Sequence, residues 1–576
     1  MTSGSVEVRD VRIRHDENEY WAPNGTSFSL TPGTVTLLLG PSGSGKSTLA
    51  LSLNGLVPDA IAADIEGTVL IEGKDIAGRA PGQISERVSM VFQDPEAQIV
   101  TSTILDEVCF GPENLQLPVD AVLARAERAL RQVGLWERRA ETPDRLSGGG
   151  KQRLAIAAAL AMATPILVLD EPTANLDPAG IAEVYSVLKD LVETGGHTVL
   201  LIEHNLDAAI DLVDRVIVLD GQGRVTLDGT PREIFDAGHQ TLLRLGVWLP
   251  IAAIAGLRLR RAGLPLDPLP LTPHELGAAL DALPSVPDPV PADRHAIVAD
   301  PDVTPLLDVR ALRVVRRRDE LLHGVSLSVP RGDFLAVVGP NGAGKTTLIQ
   351  AMAGVVRPPR GQVFVQGKDV SRMDVRDLTA QVGFVFQNPE HQFITGTVAD
   401  ELAHGLRLQR LPESEITERV DAMLERFGLT AQRDRHPYLL SGGQKRRLSV
   451  GTALITGAPL LVLDEPTFGQ DRSRAAELLA LLRDLNRQGT TIVVVSHDLQ
   501  LVADYANRVA VVADGSLLGI GPSEEILADT DLLQRAGLLP PPLAQAFAGL
   551  EHHPIWRSVA RLDQLPGAEG WRNREH

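Results

Sequence analysis

The chain has 576 residues, of which 44% are hydrophobic and 22% are charged, and its formal net charge at pH 7 is −19. This length predicts more than one domain, and the acidic excess argues against a nucleic-acid partner, whose phosphates would need clustered Lys and Arg. The single cysteine, Cys109, excludes an internal disulfide framework and is typical of a reducing compartment.

No segment predicts insertion into a membrane. The N-terminal residues MTSGSVEVRD lack a charged region followed by an apolar stretch, so no signal peptide is expected. The best apolar candidate, Leu245 to Leu257, is shorter than the ~18–20 residues of a spanning helix and is broken by Pro250. Any association with a membrane is therefore expected to depend on a partner.

Short apolar runs that predict buried strands occur in the same order in both halves of the chain. In the first half VTLLLG, ILVLD and TVLLIEH follow one another, and in the second half FLAVVG, LLVLD and TIVVVSH do so. Helical stretches alternate with them, which predicts a duplicated α/β domain with a mainly parallel sheet, a helical signature subdomain and a short helical C-terminal tail. The predicted domains are residues 1–283 (core about 5–240, tail about 241–283) and 305–576 (core about 305–530, tail about 531–576), and a Pro- and Asp-rich linker spans 284–304.

Two segments match the phosphate-binding motif GxxxxGK[ST], and each follows a predicted strand and precedes a helical stretch. Its glycines let backbone N–H groups wrap phosphates at a helix N-terminus. Lys46 and Lys345 are expected to reach the β- and γ-phosphates, and Ser47 and Thr346 to ligate Mg²⁺. The predicted nucleotide-binding residues of these loops are Gly40, Pro41, Ser42, Gly43, Ser44, Gly45, Lys46, Ser47 and Thr48, and Gly339, Pro340, Asn341, Gly342, Ala343, Gly344, Lys345, Thr346 and Thr347.

Each half also has an apolar strand that ends in two acidic residues. Asp170 and Asp464 are expected to belong to the magnesium shell, and Glu171 and Glu465 to polarise the attacking water. An isolated Asp-Glu pair often caps a helix. Here both pairs stand downstream of a phosphate-binding loop, at the same place in each half, which favours hydrolysis of a nucleoside triphosphate at two sites.

A third motif, LSGG, precedes a helical run in both halves and places a serine and two glycines at a helix N-terminus, which suits an anion. Together the three motifs resemble those of the ATP-binding cassette (ABC) ATPases over nearly all of both halves. In that family two cassettes pair head to tail, and each ATP lies between the phosphate-binding loop of one cassette and the LSGGQ motif of the other. The resemblance implies that this chain fuses both cassettes of such a pair. The implied ATP contacts from the LSGG motifs are Ser147, Gly148 and Gly149, and Ser441, Gly442, Gly443 and Gln444.

The resemblance also implies roles for residues outside these motifs. Gln93 and Gln387 correspond to the glutamine that contacts Mg²⁺ and the attacking water and that senses the membrane partner. His204 and His497 correspond to the histidine that contacts the γ-phosphate. With the two glutamates, these residues form the implied catalytic set.

Some positions depart from the family pattern or are only loosely defined by it. Asp177 and Asp471 resemble the aspartate that crosses the interface between cassettes. Gly150 replaces the last residue of LSGGQ, which implies two hydrolysing sites of different rate, with the site of the second phosphate-binding loop slightly irregular. The aromatic residue that many cassettes stack on adenine is missing. His15 and Arg316 align with it, and each could stack on adenine or lie on the surface.

The pattern FQ[DN]PExQ occurs in both halves. The segments that begin at its first glutamine, Gln93 or Gln387, are here called the Q-loops. This pattern and the acidic sequence after it resemble the ATPases of energy-coupling factor (ECF) transporters, which drive uptake of vitamins or metal ions. The resemblance implies a T-component, whose arginine-bearing coupling helices the cassettes grip, a substrate-binding S-component, and a location on the cytoplasmic face of the membrane. The acids that would suit those arginines, or else are solvated loop charges, are Glu96, Asp106, Glu107, Glu390, Asp400 and Glu401.

Other classes of cassette protein fit less well. Tandem cassettes that act on ribosomes tend to have charged helical linkers and basic surfaces, whereas this linker is Pro-rich and acidic. A DNA-repair cassette would need zinc-ligating cysteines or long coiled-coil inserts, and the sequence shows neither. The ATPases of sugar importers share the two-cassette plan, but their Q-loops lack the PExQ pattern. The transported substrate stays open, because in ECF systems another chain determines it.

Overall fold

The computed structural model describes residues 4–16, 20–174, 176–291, 304–316, 319–467 and 472–567. The chain divides into two compact units, Met1–Leu280 and Asp281–His576. Each unit is described below by itself.

The first unit is built on apolar strands that are too uniformly hydrophobic for an exposed sheet face. Four of them are buried along nearly their whole length, as expected when both faces of a parallel sheet are covered: Val35–Leu39, Ile166–Asp170, Thr198–Ile202 and Arg215–Leu219. Its strands are β1 (Val6–His15), β2 (Asn24–Leu30), β3 (Val35–Leu39), β4 (Ala63–Ile71), β5 (Lys74–Asp75), β6 (Val88–Val91), β7 (Ile166–Asp170), β8 (Thr198–Ile202), β9 (Arg215–Leu219) and β10 (Val225–Gly229). Its helices are α1 (Lys46–Leu53), α2 (Leu56–Asp59), α3 (Pro81–Ile84), α4 (Ile104–Asn114), α5 (Val119–Gln132), α6 (Gly148–Ala161), α7 (Pro178–Thr194), α8 (Leu206–Ala209), α9 (His239–Arg244), α10 (Ile251–Arg261) and α11 (Pro273–Asp281).

The main sheet of this unit has the strand order β10-β9-β3-β8-β7-β6, and its pairs are parallel except for β10 with β9. The carboxyl ends of parallel strands meet at one edge of the sheet, where ligands bind in open α/β folds. The phosphate-binding loop follows β3 at this edge. Glu171 follows β7, and Gln93 and His204 come within two residues of the ends of β6 and β8. The topology therefore brings four separate sequence motifs to one place.

A second sheet, with the order β2-β1-β4-β5, is antiparallel. Its strands alternate between buried and exposed residues, so one face packs on the core and the other meets solvent. The register of β1 shifts near Asp10, whose φ of 45° marks a bulge. The sequence analysis predicted only the parallel strands, and this sheet is an addition to it.

The second unit repeats this architecture. Its strands are β11 (Leu307–Arg316), β12 (Asp319–Val329), β13 (Phe334–Val338), β14 (Val363–Val365), β15 (Lys368–Asp369), β16 (Val382–Val385), β17 (Leu460–Asp464), β18 (Thr491–Val495), β19 (Arg508–Ala513) and β20 (Ser516–Pro522). The main sheet has the order β16-β17-β18-β13-β19-β20, and the antiparallel sheet has the order β12-β11-β14-β15. Its helices are α12 (Lys345–Met352), α13 (Val375–Thr379), α14 (Val398–Leu408), α15 (Glu413–Arg426), α16 (Gly442–Leu454), α17 (Arg472–Arg487), α18 (Leu499–Tyr505), α19 (Ser523–Ala528), α20 (Thr530–Arg535) and α21 (Pro542–Phe547). The predicted fold class, two tandem α/β domains with mainly parallel sheets, is confirmed.

The core of the second unit lies on both faces of its main sheet. On one face, β13 and α12 pack with the antiparallel sheet around residues such as Leu348 and Val363. On the other face, the sheet packs with α14–α16 around Leu402, Val420 and Leu448, all buried. Helices α14–α16 form the helical subdomain that carries the LSGGQ motif of this unit.

Helices follow the cores of both units. In the first unit α10 is almost wholly buried, and it contains most of the apolar run that the sequence marked as too short to span a membrane. In the second unit Trp556 is fully buried against Phe547, with 5.4 Å between ring centroids. Among the described helices, none combines the length and the apolar character that crossing a bilayer requires.

The first residues of the second unit lie along its C-terminal tail. The carboxylate of Asp281 accepts hydrogen bonds from the backbone N–H groups of Glu551 and His552, at 3.1 and 2.8 Å, and the Val290 N–H donates to the Gln564 carbonyl at 2.8 Å. Residues 284–291 of the expected linker therefore belong to this compact unit. Residues 292–303 of that linker lie outside the described residues.

Candidate ATP site

The phosphate-binding loop of the first unit curls around its own lysine. The Nζ atom of Lys46 donates to the carbonyl oxygens of Gly40 and Pro41, at 2.8 and 3.0 Å. Gly45 has a φ of 88°, and a Cβ there would collide with the backbone of Pro23, so glycine is required. Gly43 (φ 84°) faces open space. The loop is thus a concave backbone cradle at the N-terminus of α1, which suits a phosphate group.

The second unit has the same loop geometry. Lys345 Nζ donates to the carbonyl oxygens of Gly339 and Pro340, both at 2.8 Å. Gly342 and Gly344 have φ values of 80° and 93°. The motif therefore folds the same way twice, as expected for a local sequence that sets its own backbone conformation.

The predicted magnesium ligands are already paired. In the first unit the Ser47 hydroxyl donates to Asp170 Oδ1 at 3.1 Å, and in the second unit the Thr346 hydroxyl donates to Asp464 Oδ1 at 3.2 Å. Burial raises the pKa of Asp170 and of Asp464 to about 6, because each carboxylate is largely removed from water. A hard divalent cation would offset this cost, and hydroxyl and carboxylate oxygens are the ligands it prefers, so these residues fit Mg²⁺.

The predicted catalytic residues of the first unit form one cluster. Glu171 Oε1 lies 3.0 Å from His204 Nε2, and Glu171 Oε2 accepts a hydrogen bond from Gln93 Nε2 at 2.9 Å. Glu171 has a φ of 47°, a conformation that is uncommon outside glycine and that is found where function requires it. The carboxylate is therefore held from two sides beside the phosphate-binding loop.

The second unit repeats this cluster. Glu465 Oε1 lies 2.6 Å from His497 Nε2, and Glu465 Oε2 accepts a hydrogen bond from Gln387 Nε2 at 3.1 Å. The φ of Glu465 is 45°. Both glutamates thus meet the same two partners in the same backbone conformation.

The acid and the histidine of the first unit shift each other's pKa. Burial alone would raise the pKa of Glu171, but the hydrogen bond and charge of His204, together with the charge of Lys46, hold it below its usual value. Burial alone would lower the pKa of His204, but its hydrogen bond to Glu171 and the charge of that carboxylate raise it. The pair is stabilised as carboxylate and imidazolium, which leaves Glu171 ionised and able to accept a proton.

The LSGG motifs begin the long helices of the helical subdomains. Ser147 is the N-cap of α6, and its hydroxyl accepts from the Gly150 N–H at 3.2 Å. Ser441 is the N-cap of α16, where the Gln444 carboxamide also accepts from the Ser441 N–H at 3.0 Å and completes a capping box. Gly150 cannot make this second bond. The other LSGG residues that were predicted to contact ATP, which lie in the first turns of these helices, are Gly148, Gly149, Gly442 and Gly443.

Four further predicted residues have different outcomes in the structure. Asp177 is the N-cap of α7 and accepts from the Gly180 N–H at 2.8 Å, whereas Asp471 lies outside the described residues. His15 Nε2 lies 3.1 Å from the hydroxyl of Thr48 in the first turn of α1, which puts the imidazole beside the phosphate-binding loop. Arg316 ends β11 and is exposed. Of the two candidates for adenine stacking, His15 therefore has the better placement.

The structure changes the interpretation of the Q-loop acids. Glu107 and Glu401 are each only 5% exposed, so they do not face a partner. Glu107 Oε2 accepts from the N–H groups of Val100 and Thr101, at 3.0 and 2.8 Å, and Glu401 makes the equivalent bonds in the second unit. The expectation that these two carboxylates receive arginines of a partner is wrong, because buried acceptors must be satisfied inside the protein.

The remaining four acids stay at the surface. Glu96 and Glu390 form ion pairs with Lys151 and Lys445, the residues that follow the fifth position of each LSGG motif. Asp400 pairs with Arg407 at 3.0 Å, and Asp106 is exposed. The sequence analysis missed these internal pairs, although the acid and the lysine recur at equivalent positions of the duplicated domain.

Glu203 is a further residue that the sequence analysis did not single out. It is 3% exposed, and its Oε1 accepts from the N–H groups of His204 and Asn205, at 2.9 and 3.0 Å. Its other oxygen accepts from the Thr173 hydroxyl at 2.8 Å. Glu203 thus fixes the backbone of His204, a role that only its burial reveals.

The buried carboxylate of Glu107 gives a first prediction. We expect Glu107→Ala to lower the stability of the first unit by about 2 kcal/mol, because two loop N–H groups lose their acceptor. Asp106→Ala is the matched control: the carboxyl of Asp106 is exposed in the first turn of the same helix, and its loss should cost at most about 1 kcal/mol through the helix dipole. Thermal unfolding followed by calorimetry measures both. Equal shifts in the two variants would contradict the structural role of Glu107.

Comparison with known proteins supplies independent information. The sequence profile of the ABC transporter family matches residues 23–174 and 322–468. A protein of Methanosarcina acetivorans, provisionally named an ABC transporter ATP-binding protein, is 39% identical over 549 residues, which cover 94% of this chain and 89% of the relative. YkoD of Bacillus subtilis, provisionally named an HMP/thiamine import ATP-binding protein, is 36% identical over 551 residues, which cover 94% of this chain and 96% of the relative.

Among solved structures, cbiO1 of Clostridium perfringens, described as part of the ABC transporter complex cbiONQ, is similar to part of the chain. It shares 31% sequence identity, covers 40% of this chain and 94% of its own, and has a TM-score of 0.37. A superposition at this score adds nothing to the family match.

The two matched segments contain both phosphate-binding loops, both LSGG motifs and both Asp-Glu pairs. Each unit therefore holds one ABC ATPase domain, called a cassette from here on. The protein binds ATP with Mg²⁺ and hydrolyses ATP, as predicted. The chain belongs to the ATP-binding proteins of ABC transporters and carries two cassettes in one polypeptide.

Proposed function

We propose that this protein is the energy-coupling ATPase of an ECF-type ABC importer. The observation that carries the proposal is the pair of Q-loops. Each Q-loop lies in the FQ[DN]PExQ sequence and begins at the glutamine that touches the catalytic glutamate. Each is followed by an exposed apolar residue: Val100 is 65% exposed and Ile394 is 68% exposed. The recurrence of an exposed apolar residue at the same position after both glutamines supports a docking surface for a partner. The import role in the name of the Bacillus subtilis relative supports the same direction of transport.

The proposed partners are a T-component, whose arginine-bearing coupling helices dock at the Q-loops, and an S-component, which binds the substrate. Asp106 is the exposed acid next to the first Q-loop that remains suited to an arginine. Through these partners the protein would lie on the cytoplasmic face of the membrane. A vitamin or a metal ion is the proposed class of substrate, and HMP or thiamine is the first to test, since it is named for a relative.

Each residue of the site has a proposed part in hydrolysis. Lys46 and Lys345 hold the β- and γ-phosphates of ATP. Glu171 and Glu465 accept a proton from the attacking water, which Gln93 and Gln387 orient. His204 and His497, hydrogen-bonded to these glutamates, meet the γ-phosphate. Magnesium, when bound, neutralises charge on the phosphates, and the residues that would hold it are Ser47, Asp170 and Gln93, and Thr346, Asp464 and Gln387.

The two cassettes are proposed to form a pseudo-dimer in which each LSGG motif completes the ATP site of the other cassette. Because ATP would then contact both cassettes, it would favour the closed arrangement over the open one by its differential affinity. Closure would move the Q-loops and with them the coupling helices. Gly150 would serve the site of Lys345, and Gln444 the site of Lys46, so the two sites are proposed to hydrolyse ATP at different rates.

A membrane pull-down tests the proposal. The tagged Glu171→Gln, Glu465→Gln protein, loaded with ATP in gently solubilised membranes of its own cell, is expected to retain its partners because hydrolysis cannot reopen the dimer. We expect mass spectrometry to identify a small polytopic protein with arginine-bearing cytoplasmic helices and a second integral membrane protein. The Lys46→Ala, Lys345→Ala protein, which should not close on ATP, is the control.

Other outcomes would overturn the assignment. Recovery of ribosomal proteins without a membrane partner would leave the assignment as an ATPase intact and reject the role in transport. Recovery of two permease subunits together with an extracytoplasmic sugar-binding protein would favour a sugar importer. Each result identifies the partner class directly.

A further inference from the structure

The LSGGQ helix of the second cassette is tied to its own Q-loop by a buried arginine. Arg446 lies on α16 and is 3% exposed. Its Nη1 donates to the carbonyl oxygen of Phe386 at 2.8 Å, and its Nη2 donates to the carbonyl oxygen of Gln387 at 2.6 Å. A guanidinium is planar and rigid, so the two bonds fix the two consecutive peptide groups on either side of the Gln387 Cα atom.

A second tie joins the same two segments. Gln392, the last residue of the PExQ pattern, donates from Nε2 to the carbonyl oxygen of Ser449 on α16 at 3.2 Å. The Ser449 hydroxyl donates back to Gln392 Oε1 at 2.6 Å. The start and the end of this Q-loop are therefore both held by the helix.

The first cassette lacks this arrangement at the equivalent positions. Gln152 occupies the place of Arg446, and its Nε2 is buried without a hydrogen-bond partner among the described residues. Gln98 occupies the place of Gln392, but it bonds to its own strand region, accepting from the Phe92 N–H at 3.1 Å and donating to the Met90 carbonyl at 3.2 Å. The last residue of this pattern is therefore held by the β6 region and not by α6.

The ion pair between the lysine of the helix and the Q-loop glutamate does not account for the difference, because it is present twice. Lys151 pairs with Glu96, and Lys445 pairs with Glu390 at 2.5 Å. The contrast between the cassettes therefore depends on two positions of the helix. Arg446 stands where the first cassette has Gln152, and Ser449, the partner of Gln392, stands where the first cassette has Ala155.

We propose that Arg446 is a positioning residue for Gln387. By joining the Q-loop to the LSGGQ helix of the second cassette, Arg446 makes these two segments move as one body. The proposal rests on the role given above to Gln387. In a low-dielectric interior the two charge-assisted bonds resist displacement, and a shift of a catalytic group by about 1 Å can cost up to about 100-fold in rate. A displacement of α16 would then reach Gln387 directly, whereas the first cassette would transmit a displacement of α6 less strictly.

The substitution Arg446→Gln gives the second cassette the residue of the first and is the central test. It is made in the Glu171→Gln background, so that turnover reports the site of Lys345 and Glu465. We expect kcat to fall about tenfold, while KM for ATP stays within about twofold because the phosphate-binding loop is untouched. The Mg²⁺ concentration for half-maximal activity should rise severalfold, since Gln387 is a proposed ligand.

Two variants separate positioning from general stability. Arg446→Lys keeps the charge and can reach one carbonyl, so it should restore part of the lost kcat. Arg447→Gln changes the next residue of the helix, an exposed arginine, and should leave kcat unchanged. Hydrogen exchange of peptides spanning residues 384–394 is expected to accelerate severalfold in Arg446→Gln and to stay slow in Arg447→Gln.

The outcomes distinguish this proposal from the one on which it rests. If Glu465→Gln abolishes turnover in this background but Arg446→Gln keeps the parental kcat, Mg²⁺ dependence and exchange rate, the positioning role is rejected and the site assignment stands. If Glu465→Gln leaves turnover unchanged, the site assignment itself fails. If Arg446→Gln does not fold, Arg446→Lys decides: an unchanged kcat, Mg²⁺ dependence and exchange rate in a folded protein rejects the positioning role.

Discussion

Replacing Glu171 and Glu465 together by glutamine is expected to lower the rate of ATP hydrolysis by about 100-fold to 10,000-fold, the range that a positioned general base contributes. Glutamine has the size of glutamate but cannot accept the proton of the attacking water. Each carboxylate also meets two donors, a histidine Nε2 and a glutamine Nε2, at 2.6–3.1 Å. The single oxygen of a carboxamide can satisfy only one of them, so the variant also loses some order in the site.

Steady-state phosphate release measures this effect, and equilibrium ATP binding is its control, because the phosphate-binding loops are unchanged. The single variants show how much each of the two sites contributes to the rate of ATP hydrolysis. A residual rate in Glu171→Gln that differs from that in Glu465→Gln would agree with the sites of unequal rate that Gly150 implies. A double variant that hydrolyses ATP at the wild-type rate would show that these glutamates are not the base.

Replacing Lys46 and Lys345 by alanine is expected to weaken ATP binding by about 10-fold to 150-fold at each site, since hydrogen bonds to charged groups contribute about 1.5–3 kcal/mol. The structure adds a second cause. Both ammonium groups are nearly buried and donate to two carbonyl oxygens of their own loop, at 2.8–3.0 Å. Without the lysine, the loop loses the group around which it is folded.

Titration with a fluorescent ATP analogue measures the affinity of each single variant and of the double variant. Lys74→Ala and Lys368→Ala are matched controls, because these exposed lysines occupy equivalent strands of the antiparallel sheets. We expect no loss of affinity in the controls. An equal loss of ATP affinity in the controls and in the Lys46 and Lys345 variants would indicate a nonspecific effect of charge.

Local motifs made much of this protein predictable. A phosphate-binding loop encodes its own backbone, because glycine permits the left-handed conformations of Gly43 and Gly45 and a lysine fills the turn. Continuous apolar runs predicted the parallel strands, and the shared edge of those strands explains why Gln93, Glu171 and His204 meet. Each of these patterns occurs in both halves of the chain, which excludes a chance match to the motifs.

Other features depend on contacts between residues far apart in the chain, and short-range patterns carry no signal for them. The antiparallel sheet pairs β1 with β4, although the phosphate-binding loop and α1 lie between them in the sequence, so the alternation within each strand does not reveal its partner. Glu107 and Glu401 look like surface acids in the sequence, yet the fold buries them and uses them to hold the Q-loops. The Arg446 contact likewise joins segments about 60 residues apart.

The sequence by itself thus determined the duplicated domain and the family resemblance, and it singled out the residues proposed to bind and hydrolyse ATP, since each follows from residue types at short, fixed spacing. Only the tertiary structure decided which of the Q-loop acids are buried, how each Q-loop is fastened, and that the two cassettes differ there. The physical reason is that a polar side chain takes its role from the donors and acceptors that surround it, and long-range folding brings those groups together.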